Sequence, residues 1–317
     1  MGYDGFRGWP SGNALLNPPQ WGDDISDRRR TQTDNTLGTV YPQALSWGGT
    51  AAPTTGAVWK SMVPAANNSW RSVCWAAELG LLVAVADSGT GNRVQTSPDG
   101  ITWTAQSSAA DNNWRSVCWA AELGLLVAVS TSGTGNRVQT SPDGINWTTQ
   151  SSAADNSWSS VCWAAELGLL VAVSSNGSNR VQTSTDGITW TAQSSAADNT
   201  WISVCWAAEL GLLVAVSTSG TGNRVQTSPD GINWTTQSSA ADNSWRSVCW
   251  AAELGLLVAV ADSGTGNRVQ TSPDGITWTA RSSAADDYLL SICWAAELGL
   301  LMAVIGLLLV NRVMTSS

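Results

Sequence analysis

The stretch WRSVCWAAELGLLVAVADSGTGNRVQTSPDGITWTAQSSAADNN, residues 70–113, decides the fold because the chain repeats it. Spacings of 44, 44, 43, 44 and 44 residues separate the six equivalent cysteines, Cys74, Cys118, Cys162, Cys205, Cys249 and Cys293. The shorter spacing comes from a deletion in residues 174–179, which marks this segment as a loop because strands tolerate deletions poorly. A constant period of this length lies in the range of propeller blades.

Each copy contains four short β-type runs: SVCWA, LLVAV, RVQTS and ITWTAQ. An AAELG turn, a loop rich in Gly, Ser and Thr, and a PDG turn separate them, in that order. Four strands in about 44 residues leave no room for a helix and predict one blade per copy. The sequence therefore predicts an all-β fold, a six-bladed β-propeller of four-stranded blades.

The sixth copy ends inside its third strand, at residues 313–317, so its fourth strand must come from elsewhere. Residues 57–70 align with residues 101–114 of the first copy, because Trp59 lies 44 residues before Trp103. We therefore predict that an N-terminal strand closes the last blade, or that it is exchanged with a neighbouring subunit as the alternative. This division gives an extended N-terminal anchoring arm, residues 1–56, and a propeller, residues 57–317.

Composition excludes several classes of function. The chain carries 24 acidic and 15 basic residues, for a net charge of −9, and no His. An acidic chain without a basic surface argues against nucleic-acid binding, and the lack of His removes Ser/His and Cys/His nucleophile pairs. No signal-peptide pattern opens the sequence, so we expect cytosolic synthesis. The apolar run 298–310 is shorter than the roughly 20 residues of a membrane span, so no span is expected.

The turn TSPDGITW, residues 96–103, resembles the Asp-box of bacterial-neuraminidase-type repeats, in a Ser-x-Asp-Gly-x-x-Trp form. Its Asp, Gly and Trp occur in five copies, as Asp99, Gly100, Trp103, Asp143, Gly144, Trp147, Asp186, Gly187, Trp190, Asp230, Gly231, Trp234, Asp274, Gly275 and Trp278. The resemblance implies an Asp-box propeller, as in sialidases, photosystem-assembly-type propellers, lectin-like domains and phage virion proteins. It also implies a structural role, with the Asp binding backbone amides of its own turn.

Asymmetry between the blades would be expected of an enzyme, and little is present. A sialidase-type site would need a Tyr nucleophile with a Glu partner, an Arg triad and an acid/base Asp. Tyr288 is the one Tyr in a blade, and the Arg of the NRV motif recurs in all six copies. We therefore expect no enzymatic activity, no catalytic residues and no cofactor.

Two further residue types recur once per blade. A Glu lies in every AAELG turn, and we favour solvated hairpin tips over a cation-binding ring for Glu78, Glu122, Glu166, Glu209, Glu253 and Glu297. No metal site is predicted. The six cysteines fall in the innermost strands, where we expect buried free thiols rather than disulfides.

The candidate ligand face is built from five tryptophans that begin the first strands: Trp70, Trp114, Trp158, Trp201 and Trp245. Aromatic rings beside Asn, Ser and Asp suit stacking on sugars, although packing between blades is the alternative that we favour. The Gly/Ser/Thr loop and the SSAADN segment should share this face of the propeller.

The candidate interface combines an apolar loop in the sixth copy with the arm. Leu307, Leu308, Leu309 and Val310 replace a polar loop and need cover, and the arm supplies Trp9, Trp21 and the cluster Arg28, Arg29 and Arg30. We therefore expect a non-enzymatic structural or adhesion protein, displayed on a larger assembly such as a phage or virus-like particle and bound there to other subunits. The alternative is a lectin-like, multivalent carbohydrate-binding module for host or cell-surface recognition.

Overall fold

A computed structural model describes residues 61–283, 285–306 and 312–316. These residues form six antiparallel sheets, one per repeat, of which five have four strands and the sixth has three. Consecutive strands are neighbours in every sheet. The predicted all-β propeller of repeated four-stranded blades is thereby confirmed.

The first two strands of each blade form a hairpin. The first strands are β1 (Trp70–Ala76), β5 (Trp114–Ala120), β9 (Trp158–Ala164), β13 (Trp201–Ala207), β17 (Trp245–Ala251) and β21 (Leu289–Ala295). The second strands are β2 (Leu81–Ala86), β6 (Leu125–Ser130), β10 (Leu169–Ser174), β14 (Leu212–Ser217), β18 (Leu256–Ala261) and β22 (Leu300–Ile305). A short 3-10 turn joins them, and Gly80 ends the first such turn with a left-handed φ of 61°.

The outer half of each blade follows the Gly-rich loop. The third strands are β3 (Val94–Ser97), β7 (Val138–Ser141), β11 (Val181–Ser184), β15 (Val225–Ser228), β19 (Val269–Ser272) and β23 (Arg312–Ser316). The fourth strands are β4 (Thr104–Gln106), β8 (Thr148–Gln150), β12 (Thr191–Gln193), β16 (Thr235–Gln237) and β20 (Thr279–Arg281). The fourth strand was expected to begin at Ile101, but residues 101–103 belong to the preceding turn. The six 3-10 turns are Ala77–Leu79, Ala121–Leu123, Ala165–Leu167, Ala208–Leu210, Ala252–Leu254 and Ala296–Leu298.

A β-bulge interrupts the first hairpin of every blade at the second residue of the first strand. In the first blade Trp70 pairs with Ala86 and Ser72 with Val85, so Arg71 is the extra residue. The same shift occurs in the other five sheets. A bulge bends the strand locally and redirects the side chain of its extra residue.

The core lies between neighbouring blades. Between the first and second blades, Val83 and Val85 pack with Trp114 and Val117 in one buried cluster. A hydrogen bond reinforces the contact, because the backbone N–H of Val117 donates to the side-chain Oγ of Ser72 at 3.2 Å. Equivalent clusters and bonds join the second to the third blade, and so on to the sixth.

The first and sixth blades lack this interface in the part of the chain that the structure describes. Val73 is 58% exposed, although Val117, its equivalent in the second blade, is only 5% exposed. On the other side, Val304 is 49% exposed, whereas its equivalent Val85 is fully buried. We call the gap between these two faces the seam. Among the described residues, five interfaces join consecutive blades from the first to the sixth, and the two faces at the seam are exposed.

The predicted closing strand falls partly outside the described residues. Residues 57–60 are among those not described, and residues 61–69 contain no strand. The segment nevertheless follows the repeat, because the Ala65 N–H donates to Gln95 Oε1 as the Ala109 N–H donates to Gln139 Oε1. Closure of the sixth blade by residues before Ser61 remains a prediction.

Candidate functional site

The five Asp turns are held by their own side chains. Asp143 Oδ1 accepts hydrogen bonds from the Ile145 and Asn146 N–H groups, both at 2.8 Å. Ser141 Oγ accepts from the Gly144 N–H at 2.8 Å, and the Trp147 indole N–H donates to the Gly144 carbonyl at 3.0 Å. The other four turns repeat this pattern. Each carboxylate therefore stabilises the turn that contains it.

These bonds also set the charge state of the turn carboxylates. Desolvation alone would raise the pKa of Asp143, but the backbone and side-chain hydrogen bonds from Asn146 and the Ile145 N–H outweigh it and lower the pKa to about 2. Asp230 has the same environment, with Asn233 as donor, and the same pKa of about 2. Backbone hydrogen bonds also lower the pKa of Asp99, Asp186 and Asp274. A carboxyl that is ionised at neutral pH cannot serve as a general acid there.

The Glu of the AAELG turn joins neighbouring blades. Glu78 accepts a hydrogen bond from the indole N–H of Trp119 in the second blade, and Glu122 accepts one from Trp163 in the third. Three further Glu–Trp pairs continue the series to Trp294. The five glutamates are exposed at the hairpin tips, as predicted, and the bond to the next blade adds to that prediction. Sequence reasoning missed the bond because its partners lie about 40 residues apart.

The polar loops of the other face are tied together as well. Arg93 donates from Nε to the Gly89 carbonyl at 2.8 Å, and Asp111 accepts from the Gly91 N–H at 2.7 Å. Asn112 donates to the Asn136 carbonyl of the next blade at 2.8 Å. The Gly-rich loop and the SSAADN segment thus lie on one face, as expected, and their recurrent Arg and Asp residues hold the loops in place.

The predicted aromatic ligand platform is wrong for four of its five members. Trp114, Trp158, Trp201 and Trp245 are fully buried, and Trp70 is half-buried. Each indole N–H donates to an Ala carbonyl four residues earlier, as Trp114 does to Ala110 at 3.0 Å. A ring enclosed between two blades cannot stack on a sugar. Packing between blades, the alternative stated above, is what the structure shows.

All six cysteines are free thiols, as expected. Burial raises the pKa of Cys74, Cys162 and Cys249 to about 12, and desolvation together with neighbouring cysteines raises those of Cys118 and Cys205 further. A thiol with such a pKa stays protonated at neutral pH and is a poor nucleophile. Cys293 differs because it is exposed, next to the seam.

A cavity of about 460 Å³ is lined by residues of all six blades, with Thr131 and Ser175 of the polar loops among them. All six blades line it with the bulged residue of their first strand: Arg71, Arg115, Ser159, Ile202, Arg246 and Leu290. The residue after the bulge is a Ser in each blade: Ser72, Ser116, Ser160, Ser203, Ser247 and Ser291. Thr131 and Ser175 complete the lining. We call this cavity the mouth.

The mouth is one of the places where near-identical blades differ. Around the ring the bulged position reads Arg, Arg, Ser, Ile, Arg and Leu, while the Ser beside it never changes. Comparing the repeats column by column would have identified this position from the sequence. The position is hidden when each blade is treated as one uniform unit.

Two carboxylates hold the arginines of the mouth. Asp87 Oδ2 lies 2.6 Å from Arg71 Nε and 3.1 Å from Arg115 Nη1, so one carboxylate bridges two blades. Asp262 Oδ2 lies 2.5 Å from Arg246 Nε. The three arginines and two aspartates leave one net positive charge here, although the whole chain carries −9. Each guanidinium retains donors that its Asp does not use.

The remaining expected residues divide between described and undescribed parts. Tyr288 is 53% exposed, and the guanidinium carbon of Arg268 lies 5.6 Å from its ring centre. The interface residues Leu307, Leu308, Leu309 and Val310, and the arm residues Trp9, Trp21, Arg28, Arg29 and Arg30, lie outside the described residues. Within the described ranges, no three His, Cys, Asp or Glu residues are grouped to hold a metal ion. No helix in those ranges is long and apolar enough to cross a membrane.

Comparison with solved structures identifies a β-propeller. A GH74 enzyme from Niastella koreensis matches with a TM-score of 0.62 and 16% identity, over 78% of this chain and 45% of that chain. A proposed gluconolactonase matches with a TM-score of 0.54 and 16% identity, over 75% of this chain and 86% of that chain. The extracellular domain of a proposed one-component system from B. thetaiotaomicron matches with a TM-score of 0.50 and 10% identity, over 74% of this chain and 31% of that chain.

These likenesses establish the fold alone, because the identities are low and fold does not determine function. The chain spans less than half the length of the GH74 enzyme. No family model and no curated protein matches the sequence.

Proposed function

We propose that this chain is a non-enzymatic structural or adhesion protein, a propeller displayed on a larger assembly and anchored by residues 1–56. A phage or virus-like particle is the kind of assembly that we have in mind. One observation carries the proposal: the polar side chains that recur in the blades are engaged in bonds that build the blades. The turn Asp residues bind their own turns, Glu78 and its equivalents bind the next blade, and Arg93 and its equivalents fix the loops.

The five turns extend the proposal to a type of repeat. Their Asp–amide and Ser–amide bonds agree with the structural role that the Asp-box resemblance implies. We therefore assign them to the Asp-box type. We also predict that the full chain does not turn over a panel of glycoside and ester substrates. Activity that appears and is then lost on Tyr288→Phe would contradict this, because Tyr288 is the one Tyr in a blade.

Light scattering of the purified full chain tests the assembly proposal. We expect particles above the 33.2 kDa of a single chain, and loss of assembly when residues 1–50 are deleted or when Leu308 is replaced in Leu308→Asp. Ile101→Asp is the control, because it adds the same charge at a side chain that is already 62% exposed. Unchanged assembly in both test variants would contradict the proposal, because neither residues 1–50 nor Leu308 would then be needed for assembly.

A second candidate is recognition of a small ligand, such as a carbohydrate, on the face that carries the mouth. The buried tryptophans exclude stacking on the predicted platform, so recognition would use the mouth. A polar cavity of about 460 Å³ falls within the size range of small-molecule sites, which is the observation that favours this candidate. A glycan-array screen of the full chain tests it.

A further inference from the structure

The bulges give the mouth its side chains. A regular strand would turn alternate residues toward the two neighbouring blades, and the bulge adds one residue that neither neighbour needs. In the first blade this residue is Arg71, while Ser72 next to it contacts the second blade through the Val117 N–H. The bulged position can therefore change without disturbing the buried hydrophobic clusters between blades.

The repeats use this freedom. Position 71 and its equivalents hold three different kinds of side chain: cationic in Arg71, Arg115 and Arg246, small and polar in Ser159, and aliphatic in Ile202 and Leu290. The neighbouring Ser is the same in all six blades. Three kinds of side chain beside an invariant Ser, all in the lining of one cavity, indicate that the cavity distinguishes a ligand.

The charged groups indicate the sign of that ligand. Arg71 and Arg246 are bound to their carboxylates through Nε, and Arg115 through Nη1. The side chains of Asp87 and Asp262 are 12% and 14% exposed, whereas those of the three arginines are 37–44% exposed. The Asp residues thus orient the guanidinium groups, whose free donors are the accessible charged groups at this position.

The uncharged groups indicate the body of the ligand. Ser hydroxyls line the cavity, and Ser72 Oγ accepts the Val117 N–H, so its own O–H is free to donate. Ile202 and Leu290 add two aliphatic contacts. A ligand that satisfies all three kinds of group carries an acidic group, several hydroxyls and a small apolar surface.

We propose that the mouth binds a small organic anion: one carboxylate or phosphate ester on a hydroxylated body, with the acidic group on Arg71 and Arg115, which share the Asp87 carboxylate. This inference rests on the second proposed function, recognition at the mouth, and does not depend on the assembly proposal. The two acidic groups share the chemistry that a guanidinium fork recognises.

Titration calorimetry of the full chain at low salt tests the proposal with four probes: glucose 6-phosphate, glucuronate, glucose and inorganic phosphate. We expect one or both sugar acids to bind at least about tenfold more tightly than glucose and than inorganic phosphate, and to weaken as salt is added. The preferred acid identifies the acidic group. Equal binding of glucose would overturn the anion proposal but leave recognition at the mouth standing. Equally tight binding of inorganic phosphate would overturn the proposal that the ligand has a hydroxylated body.

Variants that the repeats themselves suggest complete the test. Arg115→Ser installs the residue of the third blade, Ser159, and should weaken binding at least about tenfold. Ser159→Arg installs the residue of the second blade and should strengthen it. The control is Arg281→Gln, which removes the same charge from an outermost strand where Gln106, its equivalent in the first blade, is natural. Binding unchanged in Arg115→Ser, equal loss in the control, or no binding of either acid to the folded chain would overturn the proposal.

Discussion

The seam allows a quantitative prediction, because one repeat position is buried in five blades and exposed in the first. Val117 is 5% exposed between the first two blades, and Val73 is 58% exposed at the seam. We consider replacing each by Ala in the full chain. The two variants remove the same atoms from the same place in a blade, so they differ only in what covers the side chain.

The expected losses follow from burial. Val→Ala removes two methylene equivalents, worth about 0.8 kcal/mol each when buried, and the cavity left at Val117 raises the total to about 2 kcal/mol. At Val73 about two-fifths of the side chain is covered and no closed cavity forms, so the loss should be about 0.7 kcal/mol. Val161, which is also 5% exposed between two blades, should behave like Val117.

Urea unfolding followed by circular dichroism measures these losses as shifts in the midpoint at constant slope. The urea midpoints of Val117→Ala and Val161→Ala should lie well below the midpoint of Val73→Ala. The midpoint of Val73→Ala should lie close to that of the unchanged chain. Equal losses at Val73 and Val117 would refute the open seam, since they would mean that Val73 is covered in solution. A small loss at Val161 would refute the packing argument itself.

Three more predictions use the same structure. Gly187→Ala should destabilise the chain by about 1 kcal/mol more than Gly168→Ala, as measured by urea unfolding. Both glycines have a left-handed φ, 74° and 58°, so the backbone strain is shared. A Cβ at Gly187 would lie 2.7 Å from a Leu125 methyl, whereas a Cβ at Gly168 would meet nothing within 4 Å. Cys293 should be alkylated first at neutral pH in peptide mapping by mass spectrometry, because it is exposed; uniform labelling of all six cysteines would contradict this. The pKa of Asp143 is lowered to about 2 in the folded chain, so its ionised carboxylate stabilises the fold above the unfolded pKa of about 4. This stability is lost as the pH falls from about 4 to about 2, and the urea midpoint should fall over that range. A midpoint that stays constant, or one that falls as much in Asp143→Asn, would contradict the prediction.

The fold could be predicted from sequence because it depends on local patterns. Six copies of one period, each with turn residues between β-type runs, specify the strands and their order without knowledge of distant contacts. The position of the loop between the second and third strands could also be predicted, because one repeat has a deletion there. The error at Ile101 is also local, since the Asp99 carboxylate holds the Ile101 and Thr102 N–H groups in the turn and so delays the strand.

The candidate site could not be predicted in the same way, because burial and register are not local. An indole at the start of a strand can face a ligand or the next blade, and Trp114 is buried only because Val83 and Val85 of another repeat cover it. The Glu78–Trp119 bond likewise joins two repeats. The bulge at Arg71 depends on how two strands pair, which the residue pattern does not specify. Each of these features needed the arrangement of whole blades.

Uniformity and variation in the repeats have a common physical origin. A propeller of near-identical blades can keep one sequence wherever a side chain meets the next blade, and Ser72, Val117 and Trp114 are such positions. A side chain can change at little cost where it lies outside the buried clusters between blades, and the bulge provides one such position per blade, in the lining of the mouth. The same construction that holds the blades together therefore allows differences between them in the mouth. A ring of equal blades can in this way carry an unequal site without weakening the interfaces between its blades.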